Sequence, residues 1–326
     1  MSVFTRVDRH NLEQFLSRFD QGDLLSFKGV SEGIENTNYF VTTTRGAFVL
    51  TLIEQWPAAE VPYFIDLMSW LTERGIPSAR PIPDRNGQTL HTLLERPAAL
   101  VERLEGESTE EPTVDNCSAV GKVLANLHVA GRDFPHQRQD QRGIEWRINT
   151  AKFLAPAISS ADQDCLDEEI KHYQGLALAQ CPRGVIHADL FPDNVLLRNG
   201  KISGVIDFYY ACNDVLIYDL AITANQWCAN KNGHLLPSKL AALLVAYHQV
   251  RPLQTVERDV WPAMLRYGAL RFWVSRLKDK EFPKQGHLTT IKDPDDIKSI
   301  LMDRRANQAE LIDMWDTAIN STRSDG

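Results

Sequence analysis

Four polar side chains that could take part in acid–base chemistry and metal binding lie between residues 187 and 207: His187, Asp189, Asn194 and Asp207. A carboxylate such as Asp189 can accept or orient the proton of a hydroxyl group. Asn194 and Asp207 carry the hard oxygen ligands that Mg²⁺ takes while it keeps water and phosphate in its other positions. The expected chemistry is phosphoryl transfer to a hydroxyl, with Asp189 catalytic and Asn194 and Asp207 as metal ligands. His187 is expected to brace this loop by hydrogen bonding and to belong to the substrate site.

A predicted β-hairpin must position these side chains. Asn199-Gly200 between two apolar runs is the strongest short-range hairpin signal and predicts a two-residue turn. In that register Asn194 lies opposite Val205, and Val205 and Asp207 share a face because side chains alternate along a strand. Asn194 and Asp207 would then be diagonal neighbours, roughly 7–8 Å apart at the backbone. One small cation could bind between them.

The elements around the hairpin predict an α+β fold. Strand-like runs lie near residues 25–30, 37–43 and 47–53, and two shorter ones at 91–94 and 98–104 complete an antiparallel sheet. From about residue 116 the pattern is mostly helical. We expect an N-terminal antiparallel-sheet lobe over residues 1–103 that binds nucleotide, and a larger helical lobe over 104–326 with the catalytic loop and substrate pocket. The hinge is expected near residues 101–106.

Composition excludes several other classes of function. The 326 residues carry a net charge of −8, which disfavours binding to nucleic acid. The five cysteines form no Cys-x-x-Cys pair, as expected for reduced, structural thiols. No apolar stretch approaches the length of about 18 residues that a membrane span needs, and the N-terminus has no signal-peptide pattern. We therefore expect a cytoplasmic protein with a small-molecule substrate and no membrane partner; the choice between monomer and dimer stays open.

The motif His-x-Asp-x-x-x-x-Asn followed by a strand-end Asp resembles the aminoglycoside phosphotransferase and choline kinase superfamily, a branch of the protein-kinase-like fold. This resemblance implies two lobes, with ATP and Mg²⁺ as cofactors. It also implies that Asp189 is catalytic, that Asn194 and Asp207 bind metal, and that Asp219 is structural and holds the catalytic loop.

The nucleotide side of the resemblance lies in the first hundred residues. The loop over residues 29–38 would cover the ATP phosphates, with Ser31, Gly33, Asn36 and Asn38 as contacts. The segment at residues 101–106, with Glu102 and Leu104, would offer backbone hydrogen bonds to adenine.

Thr51 departs from the superfamily pattern. Most members have a lysine there for the phosphates, paired with a helical Glu, whereas this chain keeps only a candidate partner in Glu60. However, residues 48–52 (Phe-Val-Leu-Thr-Leu) and 35–40 (Glu-Asn-Thr-Asn-Tyr-Phe) closely resemble one subgroup, the bacterial homoserine kinases of this fold. The resemblance therefore implies L-homoserine as the hydroxyl acceptor, with Thr51 at the nucleotide.

An amino-acid acceptor needs a guanidinium for its carboxylate. The predicted helix over residues 264–277 is rich in arginine and aromatic residues and also resembles that subgroup. Arg271 and Arg276 are the expected carboxylate ligands, although arginines on such helices commonly lie over apolar surface with their heads in water. Tyr209 is close enough to Asp207 in sequence to line the same pocket.

Three alternatives stay open at the level of sequence. Another small-alcohol kinase of the same fold would act on an aminoglycoside, choline, ethanolamine or methylthioribose. A nucleotide-binding pseudokinase is prompted by Thr51. A metal hydrolase would use His187, Asp189 and Asp193 and would need no ATP.

Overall fold

The computed structural model describes residues 5–30, 36–283 and 292–321. These residues form two compact units. The first comprises the described residues up to Glu105 together with Gly204–Ile206, and the second comprises 106–203 and the described residues from Asp207 onward. The predicted domain boundary after residue 103 stays a prediction.

The first unit is built on a five-stranded antiparallel sheet. Its strands are β1 (Leu24–Gly29), β2 (Asn36–Thr43), β3 (Gly46–Ile53), β4 (His91–Leu93) and β5 (Arg96–Glu102), in the spatial order β1-β2-β3-β5-β4. Burial alternates along β2, as expected for a strand with one face on a core. That core includes Phe15, Phe19, Val41, Leu50 and Leu100. Helices α1 (Arg9–Leu16) and α2 (Val61–Glu73) complete the unit.

The second unit is mostly helical. Its helices are α3 (Val114–Ala130), α4 (Ile144–Leu154), α5 (Ser160–Gln174), α6 (Leu216–Trp227), α7 (Pro237–Val250), α8 (Thr255–Glu281), α9 (Pro294–Ala306) and α10 (Gln308–Ser321). The buried side chains of α6 and α8 lie around most of each helix, so both helices run through the core. None of the helices in the described residues is long and apolar enough to cross a membrane. All five cysteines are buried and unpaired.

Two small sheets interrupt the helices. Strands β7 (Val195–Arg198) and β8 (Lys201–Val205) form the predicted hairpin. Its turn residues Asn199 and Gly200 have φ of 51° and 75°, so both are left-handed, as a type I′ turn requires. The second sheet pairs β6 (Arg183–Ile186) with β9 (Cys212–Val215), and sequence analysis did not expect it.

Two consecutive helices end the described part of the chain: α9 ends at Ala306 and α10 begins at Gln308. The start of α9 had a readable signal: Asp293 accepts a hydrogen bond from the N–H of Asp295, and Pro294 occupies the first helical position. The apolar periodicity of α9 is weak, so its capping residues mark the helix in the sequence better than the spacing of its apolar residues does.

Candidate active site

A buried carboxylate anchors the loop that carries Asp189. The Oδ2 of Asp219 on α6 accepts the N–H of His187 at 2.7 Å, and its Oδ1 accepts the N–H of Ala188 at 2.8 Å. Ala188 has φ of 62°, a left-handed conformation that costs an L-residue about 1–2 kcal/mol. Such strain persists where surrounding contacts hold it in place. Asp219 therefore fixes the direction in which the chain leaves β6 toward Asp189.

The ring of His187 braces this loop from within. It is fully buried, packs against Phe208 at a centroid distance of 4.7 Å, and its Nδ1 accepts the N–H of Asp189 at 3.2 Å. The bracing expected from the sequence is thus present. The placement of His187 on the substrate side stays a prediction.

A buried histidine completes the anchor. The Nε2 of His128 donates to Asp219 Oδ2 at 3.1 Å, and the Tyr247 hydroxyl meets its Nδ1 at 2.6 Å. Burial lowers the pKa of His128 below its ordinary value of 6.5, against the opposing effect of Asp219. Arg251, also close, lowers the pKa further, and Glu257 raises it. Burial opposes ionisation of Asp219 as well, but its hydrogen bond with His128 holds its pKa below the ordinary value.

We expect His128 to make the protein less stable below pH 6.5. Its pKa is lower folded than unfolded, so the unfolded chain binds the extra proton as pH falls through that window. The free energy of unfolding should fall with a slope of at most about 1.4 kcal/mol per pH unit from this group. Urea denaturation between pH 5 and 8 measures the slope. The variant His128→Gln should lose this component; an unchanged slope would contradict the assignment.

Asn194 is held against Asp189 by its amide nitrogen. Nδ2 donates to the Asp189 carbonyl at 2.8 Å and to Asp189 Oδ2 at 3.1 Å. These bonds fix the orientation of the amide, and its Oδ1 accepts no hydrogen bond within the part of the chain that the structure describes. A fixed, uncommitted carbonyl oxygen next to a carboxylate suits a hard cation. The side chain therefore fits the predicted metal role.

Backbone geometry at the two predicted metal ligands corrects the register argument. Asn194 ends a 3₁₀ turn, Pro192–Asn194, and β7 begins only at Val195. Asp207 follows the end of β8 and has φ of 64° and ψ of 59°. Strand alternation applies to neither residue, so the predicted diagonal pairing on one sheet face is wrong. Asp207 is exposed, and a carboxylate there can still take part in a metal site.

The arginines of α8 are already engaged by the protein. Arg271 is 2% exposed and donates from Nη1 to the carbonyl of Ala188. Burial opposes its charge, but Tyr218 and the carboxylates of Asp140 and Asp189 raise its pKa above the ordinary range. Arg276 donates to the Asp293 carbonyl at 2.8 Å. Neither contact tests the predicted substrate roles, but both guanidinium groups already have a backbone partner.

Tyr209, which was predicted to line the substrate pocket, lies next to a predicted metal ligand. Tyr209 lies half-buried in the 3₁₀ turn Phe208–Tyr210 directly after Asp207.

The residues predicted to contact the nucleotide belong to the first unit. Thr51 donates to Asn38 Oδ1 at 2.7 Å, and Asn36 Oδ1 accepts the N–H of Glu54 at 3.3 Å. Glu102 is the exposed last residue of β5, followed closely by half-buried Leu104. Ser31 and Gly33 lie outside the described residues.

Comparisons with known proteins show the family to which this chain belongs. The family model described as "Phosphotransferase enzyme family" matches residues 26–253. The chain belongs to this phosphotransferase family. The phosphotransferase is 46% identical over 315 residues to the homoserine kinase of Methylobacillus flagellatus, covering 97% of this chain and 99% of that protein. It is 40% identical over 302 residues to the homoserine kinase of Neisseria meningitidis serogroup B, covering 93% and 99%.

Solved structures confirm the fold class of this phosphotransferase. The amicoumacin kinase hAmiN, solved with AMP-PNP and Ca²⁺, has a TM-score of 0.70 at 16% identity, covering 94% of this chain and 95% of that one. The Plasmodium vivax ethanolamine kinase has a TM-score of 0.60 at 14% identity, covering 87% and 83%. The predicted α+β protein-kinase-like fold, with an antiparallel sheet in the first unit and helices in the second, is therefore correct.

A group of residues just before and within α4 was not predicted from the sequence. Arg147 is fully buried, lies 3.3 Å above the ring of Tyr267, and donates to the Tyr267 carbonyl and the Tyr218 hydroxyl. Arg142 and Trp146, with the guanidinium 4.4 Å from the ring, lie nearby in sequence. The only signal was the concentration of arginine and tryptophan in residues 142–147 of this phosphotransferase.

Proposed function

We propose that the protein transfers the γ-phosphoryl group of ATP to the side-chain hydroxyl of L-homoserine, giving ADP and O-phospho-L-homoserine for threonine biosynthesis. The observation that carries this proposal is the similarity, over nearly the whole chain, to proteins named homoserine kinase. The arrangement of Asp189 and Asn194 supports it, because a carboxylate and an oriented amide meet the needs of phosphoryl transfer.

The second unit supplies the reacting groups. Asp189 accepts a hydrogen bond from the homoserine hydroxyl, orients its oxygen toward the γ-phosphorus and takes up its proton. Asn194 Oδ1 and the Asp207 carboxylate would hold Mg²⁺, which neutralises phosphate charge when it is bound. Asp219, His187 and Ala188 act at a distance by keeping the Asp189 loop in one conformation. Catalysis then consists largely of positioning and charge neutralisation.

The nucleotide contacts are assigned to the first unit. The residues proposed to contact ATP are Ser31, Gly33, Asn36, Asn38, Thr51, Glu102 and Leu104. The neutral side chain of Thr51, which the superfamily resemblance aligns with a lysine, donates a hydrogen bond to Asn38 Oδ1. Charge on the phosphates is therefore proposed to be balanced by Mg²⁺ and by groups other than Thr51.

The proposal also includes the cellular compartment and the binding partners of the enzyme. Five buried, unpaired cysteines fit a reducing compartment, which supports the cytoplasm. The proposed partners are small molecules, namely ATP, Mg²⁺ and L-homoserine.

A substrate panel tests the proposed function. Purified protein with ATP and Mg²⁺ is assayed for ADP release with L-homoserine, L-serine, L-threonine, choline and an aminoglycoside. We expect L-homoserine to give the highest kcat/KM, because it alone combines a terminal hydroxyl at the right reach with both amino-acid charges. Faster turnover of choline or the aminoglycoside would contradict the substrate assignment, and ADP release that no alcohol stimulates would contradict the kinase assignment.

A further inference from the structure

Arg142 carries a guanidinium that the protein positions without neutralising. Its N–H donates to Asp140 Oδ1 at 2.7 Å, and its carbonyl accepts Arg147 Nε at 2.9 Å, so the backbone is fixed. The half-buried side chain stacks 4.4 Å from the Trp146 ring and 5.8 Å from the Tyr210 ring. Within residues 5–30, 36–283 and 292–321, the Arg142 guanidinium has neither a carboxylate nor a carbonyl partner.

Nearby arginines differ from Arg142 in this respect. Arg266 forms a two-bond ion pair with Glu169, at 3.0 and 2.6 Å. Arg271 donates to the Ala188 carbonyl and Arg276 to the Asp293 carbonyl. A guanidinium fork binds one carboxylate with two parallel hydrogen bonds. The Arg266 fork is fully engaged in this way, and the guanidinium groups of Arg271 and Arg276 each already donate to a backbone carbonyl. Arg142 keeps its fork available, and aromatic stacking limits the conformations of the side chain.

Tyr210 connects Arg142 to the catalytic loop. The guanidinium of Arg271 lies 4.8 Å from the centre of the same Tyr210 ring, and Arg271 holds the carbonyl of Ala188, the residue before Asp189. The two contacts place the guanidinium groups of Arg142 and Arg271 within about 11 Å of each other, on one aromatic side chain that lies close to the Asp189 loop. A four-carbon hydroxy amino acid spans about 5 Å from carboxylate carbon to hydroxyl oxygen, judged from ordinary bond lengths. The two groups suit the two ends of such a molecule.

We propose that Arg142 binds the α-carboxylate of the acceptor while Asp189 receives its hydroxyl. This inference rests on the proposed function and deepens it by assigning a specificity-determining residue. Lys278, whose Nζ lies 5.9 Å from the Trp146 ring, adds positive charge to the same surface. The cluster of Arg142, Trp146, Tyr210 and Lys278 attracts a carboxylate. It disfavours choline, because the guanidinium already lies over the aromatic faces that a quaternary ammonium would need.

The test separates carboxylate recognition from turnover. Arg142→Met removes the fork but keeps an unbranched chain over Trp146, and Arg142→Lys keeps the charge without the fork. We expect Arg142→Met to raise the KM for L-homoserine roughly 10- to 150-fold, as for loss of a hydrogen bond to a charged group. The KM for ATP should stay within about twofold, and Arg142→Lys should recover part of the loss. Arg132→Met, which changes an exposed arginine just after α3, is the matched control and should keep the wild-type KM.

Two inhibitors identify the group that Arg142 contacts. L-2-Aminobutyrate keeps the carboxylate and ammonium of homoserine but lacks its hydroxyl, and 3-aminopropan-1-ol keeps the hydroxyl and ammonium but lacks the carboxylate. Arg142→Met should weaken inhibition by L-2-aminobutyrate and leave inhibition by 3-aminopropan-1-ol unchanged. A wild-type KM for L-homoserine in Arg142→Met, or equal weakening of both inhibitors, would overturn this inference alone. Failure of the wild-type protein to phosphorylate L-homoserine would instead overturn the proposed function.

Discussion

Replacing Asp189 by asparagine is expected to lower kcat with L-homoserine by about 10²–10⁴-fold, the range that general acid–base groups contribute. Asparagine keeps an oxygen that can accept the Asn194 Nδ2 bond, so the loop geometry is retained while the proton acceptor is lost. Asp189→Ala removes both and should abolish turnover. Steady-state ADP release measures kcat, and thermal unfolding should show that both variants still fold.

Asp193 provides the matched control for Asp189. It lies four residues further along the same loop, is exposed, and pairs with Lys292 at 2.9 Å. Such exposed ion pairs contribute about 0–1 kcal/mol to stability. Asp193→Asn should therefore leave kcat within a few-fold of the wild type. Near-normal turnover in Asp189→Ala would remove Asp189 from the mechanism. A loss in Asp193→Asn equal to that in Asp189→Asn would show that the effect is not specific to Asp189 and would contradict its assignment as the proton acceptor.

Replacing Asp207 by glycine is expected to lower the turnover without lowering the free energy of unfolding. The left-handed backbone of Asp207 costs an L-residue about 1–2 kcal/mol, and glycine adopts it without strain. Glycine also raises the entropy of the unfolded chain, which offsets part of the gain from the relieved strain. We therefore expect the free energy of unfolding to stay equal or rise by up to about 1 kcal/mol. Turnover should nevertheless fall by about 10²-fold or more, because a metal ion supplies several kcal/mol of charge stabilisation in the transition state.

Magnesium dependence distinguishes loss of a ligand from a disturbed loop. Asp207→Asn keeps a side chain that tolerates left-handed backbone but weakens the oxygen ligand. Its half-saturating Mg²⁺ concentration should rise, and excess Mg²⁺ should restore part of the rate. A variant with wild-type Mg²⁺ dependence and turnover would show that Asp207 is not a metal ligand. Destabilisation of Asp207→Gly by more than about 2 kcal/mol would contradict the argument from backbone strain.

Local sequence rules predicted the hairpin but not the conformation of its flanks. Asn199-Gly200 demands a left-handed pair, and the structure has it. Alternation of faces holds only inside the ladder, and both Asn194 and Asp207 lie beyond its ends. Pro192 begins a 3₁₀ turn, and the left-handed backbone at Ala188 depends on Asp219, which lies 31 residues further along the chain. Such tertiary contacts leave no signal in the spacing of the catalytic motif itself.

Arginine roles were the least predictable part of the site. Helical spacing placed several arginines on α8, but spacing does not show which of them meet acceptors from other elements. Arg266 finds Glu169, which lies 97 residues away in the sequence, and Arg271 finds the Ala188 carbonyl. Arg142 could not be singled out from the sequence, because it precedes α4 and lies outside any apolar periodicity. The order of elements in the first unit was predictable because strand alternation and turn residues are local signals.

The most direct test of the central claim follows the phosphorus atoms. Purified protein, ATP, Mg²⁺ and L-homoserine are monitored by ³¹P NMR, with the Asp189→Asn protein in parallel. We expect the γ-phosphate signal of ATP to decrease in step with the growth of one phosphomonoester signal, identified as O-phospho-L-homoserine by addition of the authentic compound, and little change with Asp189→Asn. Release of the γ-phosphate as inorganic phosphate, or equal product formation by Asp189→Asn, would contradict the account.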